Sequence, residues 1–217
     1  MNNTRFIGFT SAAGGSGCTS CGVLLARTAA GVFKKRVLFL GLDALSCKAA
    51  PKSVNRLSSK RMFTKLLDDN ADFDALLKAC ISTDDFGVCY AADTSFYNPF
   101  LLISKAELLC LLRRIAESDS FDVVILDIPF KNSLAEELCS CCEDLIVVSG
   151  YRTSQTACNN DLYMHLDFHI KSLVNRPKML IFASVNDPES FDGSEVDIHG
   201  QLGTEVRRLA EELFEGE

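Results

Sequence analysis

The sequence predicts an α/β fold, a mostly parallel β-sheet with helices on both faces. Two observations carry that expectation. Near-continuous apolar runs recur along the 217 residues, as strands buried on both faces require. Most are followed by a segment of helical periodicity, and strands alternating with helices make a parallel sheet. No internal repeat or low-complexity linker interrupts the order, so residues 1–217 are expected to form one domain. With 47% hydrophobic residues, such a chain can bury a sizeable core.

The elements follow in order. "RFIGFT" (5–10) is an apolar strand that runs into a Ser/Gly-rich turn. From Thr19, "TSCGVLLARTAAGVF" has helical spacing and a Thr/Ser start that suits a helix N-terminus. "RVLFLGLD" (36–43) is a buried strand. Residues 46–60, rich in Ser, Lys and Arg, read as exposed and partly irregular. "RMFTKLLDD" and "DFDALLKAC" read as two short helices, and "GVCYAA" (87–92) as a third strand before a loop at Asn98-Pro99. "SKAELLCLLRRIAE" (104–117) is an amphipathic helix in which Ser104 and Glu107 form a capping box. "FDVVILDIP" (121–129) is an apolar strand that closes on an acid. "NSLAEELCSCC" reads as helix, "DLIVVSG" as strand, residues 154–173 as a long helix, "KMLIFASVND" as the last strand and "GTEVRRLAEELFEGE" as a terminal amphipathic helix.

Composition removes several function classes. A net charge of −7 and a pI near 5.0 argue against a broad nucleic-acid surface. Lys48, Lys52, Arg56, Lys60 and Arg61 are the only suitable basic cluster, and they read as a solvated loop. No apolar run reaches the roughly 18 residues that span a bilayer, and "MNNTRFIGFTS" lacks the features of a secretory signal. A cytoplasmic location is therefore expected. Most of the ten cysteines sit in apolar segments and read as reduced core residues. Cys139, Cys141 and Cys142 are the densest cluster, but no second ligand group stands at a metal-binding spacing. His165 and His169 fall four apart on a predicted helix, which leaves a two-ligand site open beside the plainer reading of solvated helix residues.

Three groups fall at strand carboxyl ends, where parallel sheets bind ligands. The first is Gly14-Gly15-Ser16-Gly17-Cys18-Thr19-Ser20, between a strand and a helix. Glycines let the backbone approach an anion and turn N–H groups towards it, and the helix dipole adds positive potential. The second is Asp127, an acid that can hold a nucleotide's magnesium through water while Thr19 gives its hydroxyl. The third is Asp43. Each alone has a plain structural alternative, a tight turn or a cap. Their order along the chain makes a shared phosphate site the stronger reading. Cys18 reads most plainly as a small residue that the turn tolerates; at a helix N-terminus its thiolate would be favoured, which leaves a reactive or redox-sensitive cysteine open.

The chain resembles the MinD/ParA superfamily of P-loop ATPases, whose deviant Walker A motif reads K-G-G-x-G-K-[ST]. "AGGSGCT" (13–19) matches every glycine and the threonine and misses both lysines, at Ala13 and Cys18. "FDVVILDIP" resembles the Walker B strand, with Asp127 as its acid. "LFLGLDAL" resembles the strand that ends Asp-x-Asp. Gly41 replaces the first acid, and Asp43 keeps the second, which by the resemblance orients the attacking water. "SVNDP" places Asn186 where many members contact adenine. The resemblance implies a P-loop NTPase fold, ATP and Mg2+ as cofactors, and a homodimer. Within the superfamily the lysine-free loop looks like the TadZ/CpaE-type localisation proteins of tight-adherence (Flp) pilus assembly. Those often carry a receiver-like N-terminal domain, which is not expected in a sequence that starts at its first strand. The acidic terminal helix poorly resembles MinD's basic membrane-targeting helix.

By the resemblance, the first missing lysine reaches across the dimer and the second lies on the β- and γ-phosphates. Two lost charge-assisted hydrogen bonds, at roughly 1.5–3 kcal/mol each, weaken binding by about two to four decades. Hydrolysis suffers more, because developing transition-state charge loses the groups that would meet it. The expectation is a nucleotide-binding localisation or scaffold protein with slow or absent turnover. An active ParA/MinD-type ATPase and a ligand-free adaptor are the alternatives.

Overall fold

The structure, a computed structural model, describes residues 4–42, 72–91, 104–130, 134–149, 153–170, 177–183 and 199–215. Asp43, Asn186, residues 46–60, "RMFTKLLDD" and Asn98-Pro99 lie outside them. In chain order the elements are β1 (Arg5–Ser11), α1 (Cys18–Gly31), β2 (Val37–Gly41), α2 (Phe73–Cys80), β3 (Ile81–Thr83), β4 (Val88–Ala91) and α3 (Lys105–Glu117). β5 (Val123–Pro129), α4 (Ala135–Ser140), β6 (Asp144–Ser149), α5 (Thr153–Ile170), β7 (Lys178–Ala183) and α6 (Gln201–Phe214) follow.

The strands form one seven-stranded sheet in the order β3-β4-β2-β5-β1-β6-β7. Every neighbouring pair is parallel except β3 with β4. Alternation along the central strands supplies two cores, as a sheet buried on both faces demands. On one face Phe6, Leu38 and Leu126 pack with Leu111 of α3, Leu138 of α4 and Leu162 of α5. On the other Ile7, Phe39 and Ile125 pack with Leu24 of α1 and Val206 and Leu213 of α6. The α/β architecture expected from the sequence is the one observed.

The antiparallel edge strand β3 was not expected. Its three residues, Ile-Ser-Thr, follow α2 directly and pair Ile81 with Ala91 and Thr83 with Cys89. The turn that makes this possible is built by Asp84 and Gly87. Asp84 Oδ1 accepts from Phe86 N at 3.0 Å and Val88 N at 2.9 Å. Gly87 has φ 89°, the left-handed region that favours glycine. The predicted capping box is present: Ser104 Oγ accepts from Glu107 N at 3.3 Å, and Glu107 Oε2 accepts from Ser104 N at 2.6 Å.

Gly8 marks the tightest place in the sheet. A Cβ there would sit 2.8 Å from Cys142 Sγ and 3.0 Å from Leu145 Cδ1, both buried side chains. Gly8→Ala therefore overpacks the core beneath β1, at a cost of about 1–3 kcal/mol. Thermal unfolding should show the Tm fall by several degrees; an unchanged Tm would mean that Cys142 gives way freely.

Candidate functional site

The site lies at the carboxyl edge of the sheet, between β1 and β5. β1 feeds α1, which packs on one face, and β5 feeds α4, which packs on the other. Chain connections that leave in opposite directions open a crevice beyond the strand ends, the usual ligand position in such sheets. The parallel register sets Asp127 level with Phe9 of β1 and Gly41 of β2. Asp127 thereby arrives beside the loop that leaves β1.

That loop runs from Ala12 to Gly17, and α1 begins at Cys18. Gly17, the N-cap residue, has φ 86° and offers no side chain to the helix's free N–H groups. Gly14 is different. Its φ is not in the left-handed region, and a Cβ on it would meet nothing within 4 Å. Neither turn geometry nor internal packing requires glycine there, so a tight turn does not account for the whole cluster. The space beyond is a cavity of about 450 Å3, lined by residues 11–20 and 127–130.

Most of the sequence-predicted residues come together in this cavity. Gly14, Gly15 and Thr19 are exposed to it, Cys18 is half-buried, and Ser16 and Ser20 are buried at its wall. Thr19 Oγ1 donates to Asp127 Oδ2 at 2.6 Å, and Cys18 Sγ lies 3.4 Å from Asp127 Oδ1. Asp127 itself is 6% exposed. A buried carboxylate beside a hydroxyl is a pair of hard oxygen donors, which fits Mg2+ rather than a soft metal. Among the described residues that line the cavity there is no lysine, arginine or histidine. Asp127 is the one charged side chain among those described residues. Asp43 and Asn186 lie outside the described residues.

The expectation for Cys18 is corrected. Burial pushes the Cys18 thiol well above its ordinary range, and the adjacent Asp127 charge pushes it further. A helix N-terminus contributes about 0.3–1 kcal/mol towards an anion. Desolvation and the neighbouring Asp127 carboxylate both oppose the anion. The desolvation wins, and Cys18 is a protonated neighbour of Asp127 rather than a reactive thiolate. The other expectations for cysteine fit better: the described cysteines are free thiols, and Cys21, Cys80, Cys139 and Cys142 are buried. His165 faces Glu136, with Nε2 3.1 Å from Oε1.

One contributor escaped sequence reasoning. Asn159 of α5 is 1% exposed, and its Oδ1 accepts from Ala12 N at 2.7 Å. The same oxygen lies 3.1 Å from Ser11 Oγ, which is also bonded to Ser16 Oγ and to the Ala13 carbonyl at 2.9 Å. This network fixes where the loop leaves β1. A signal was present: Asn159 falls on the apolar stripe with Leu162 and Leu166, where a polar residue needs a partner.

No protein-family model matches the chain, and no curated protein matches it. Solved structures do. A ParA family ATPase from Chlorobium tepidum TLS is similar with a TM-score of 0.73 and 12% identity, over 95% of this chain and 98% of that one. The septum site-determining protein MinD of Pyrococcus horikoshii OT3, solved with Mg-ADP, gives a TM-score of 0.69 and 18% identity, over 97% of this chain and 96% of that one. Cobyrinic acid a,c-diamide synthase from Mycobacterium smegmatis, with a bound ATP analog and magnesium, gives 0.65 and 17%, over 97% and 94%. At these identities the likeness establishes the fold.

Proposed function

We propose that this chain is a nucleotide-responsive localisation or scaffold protein of the MinD/ParA kind, which binds ATP with Mg2+ and turns it over slowly or not at all. The observation that carries the reading is the cavity over Gly14: backbone and helix N-terminus on one side, Thr19 and Asp127 on the other, and no cationic side chain among the described lining residues. Backbone N–H groups of residues 14–19 would take the phosphates. Thr19 and Asp127 would hold Mg2+, whose charge stands in for that of the absent lysines. Solved proteins of this fold contain Mg-ADP or an ATP analog with magnesium. Asn186 would meet the adenine.

The finer reading follows the resemblance in the loop. The lysine-free motif supports a TadZ/CpaE-type role in Flp pilus assembly, as a cytoplasmic homodimer that meets other positioning proteins. Among the described residues no helix is long and apolar enough to cross a membrane. A working ATPase is favoured by one feature, the retained Asp43, which would orient the attacking water.

Thermal unfolding with and without nucleotide tests the reading. Mg-ATP at a hundredfold excess over Kd stabilises by about 2.7 kcal/mol, a Tm rise on the order of 5–10 °C. EDTA should abolish the rise, because without magnesium Asp127 faces the phosphates as a like charge. Asp127→Asn should lose the magnesium dependence. A Tm indifferent to Mg-ATP would leave the ligand-free adaptor in its place. Phosphate release at rates typical of enzymes would favour the working ATPase.

A further inference from the structure

The geometry points to a second ligand site at the opposite end of the sheet, for a small organic acid: an apolar body that carries one carboxylate or comparable anionic group. A cavity of about 400 Å3 opens there at the amino ends of β2, β4 and β5, under α2. Ligand pockets of about 300–1,000 Å3 are mostly apolar with a few placed polar groups, and this one has that composition. Its floor is Val37, Leu77, Ile81 and Phe121. Its rim carries Lys34, Lys35, Arg36 and Lys78, four cations in a chain whose net charge is −7.

The charges are not spent on one another. Arg36 is committed, with its guanidinium 2.6 Å from Asp122 and 3.5 Å from Asp119. Asp74, four residues before Lys78 on α2, accepts from Ser120 Oγ at 3.2 Å and makes no ion pair with Lys78. Lys34 Nζ donates to the Gly31 carbonyl at 2.6 Å, a neutral partner that leaves its charge uncompensated. Lys78 is exposed and has no ion-pair or hydrogen-bond partner among the described residues. Among the described residues that line the cavity there is no carboxylate. An uncharged apolar guest would leave two ammonium groups unmatched at its mouth, and a guest with an acidic end would meet them. The site shares no described lining residue with the glycine-loop cavity.

Calorimetric titration of the full chain with octanoate tests this, with octan-1-ol as the uncharged counterpart. Octanoate should bind saturably and octan-1-ol at least tenfold more weakly. Lys78→Glu should weaken octanoate tenfold or more, and Lys34→Glu should act in the same direction. Both positions are exposed, and an unchanged Tm will show that the fold is intact. The response to Mg-ATP should be the same in these variants as in the parent. Equal affinity for acid and alcohol would overturn the proposal, as would octanoate binding that ignores both charge reversals. Phosphatidylglycerol vesicles form the last arm. Lys78-dependent sedimentation with vesicles, without binding of free octanoate, would make the patch a membrane contact and overturn the small-molecule site.

Discussion

Asp84→Ala should destabilise the fold by about 3–5 kcal/mol, the loss expected when a buried ion pair forfeits one partner. Arg27 Nε and Asp84 Oδ2 stand 3.0 Å apart, with side chains only 10% and 8% exposed. The aspartate does more than pair. Its carboxylate also accepts from Tyr90 Oη at 3.1 Å and from the backbone N–H groups of Phe86 and Val88. Its removal therefore takes the carboxylate from a largely buried guanidinium, which keeps its contact with the Phe86 ring, and unties the β3–β4 turn together. Arg27 lies in the middle of α1, the helix whose N-terminus faces the candidate nucleotide cavity, so the anchor also steadies that helix. Thermal unfolding should place the variant's Tm roughly 6–20 °C below the parent's. Replacing both residues with alanine should cost less than the sum of the single changes, because the two side chains share one interaction that each single change already removes. A loss under about 1 kcal/mol for Asp84→Ala would show that water reaches the pair and that it behaves as a surface bridge.

What could be read from the sequence divides along the range of the interactions. β1, β2, β5 and β6 were legible because burial on both faces leaves a continuous apolar run, a purely local signature. β3 was not, since three residues of Ile-Ser-Thr carry no period; its pairing depends on the Asp84–Gly87 turn folding it back on β4. The same division holds at the site. Gly14, Gly15, Gly17 and Thr19 lie together in one short stretch, and their grouping can be seen without a structure. The order of the motifs assigns Asp127 and Thr19 to one site, but their direct 2.6 Å contact depends on β5 lying beside β1 in a particular register, which chain order does not specify. Asn159 is 147 residues from Ala12 and is brought to it by the packing of α5 against the sheet. The misjudged charge state of Cys18 has the same origin. The helix start was visible in the sequence, but the burial and the acid that outweigh it were not.

Cys18→Lys is the substitution that asks most directly what the glycine loop is for. Sγ of residue 18 lies 3.4 Å from Asp127 Oδ1 and faces the cavity. A lysine there should add a charge-assisted contact to a bound phosphate, worth roughly 1.5–3 kcal/mol. In a calorimetric titration the variant should bind Mg-ATP about 10- to 150-fold more tightly than the parent. Without nucleotide the new amine has Asp127 as its partner, and breaking that pair on binding draws the gain towards the lower end. Phosphate release should rise far less than affinity. Ala13 still withholds the lysine that, by the resemblance, reaches across the dimer, and tighter binding shared by ground and transition states does not accelerate the chemical step. Equal affinity in parent and variant would mean that residue 18 is remote from any phosphate, and the cavity would then need another ligand. Tight binding together with fast turnover would mean that one lysine suffices. The chain would then be an ATPase silenced by a single substitution rather than a scaffold that has lost the chemistry.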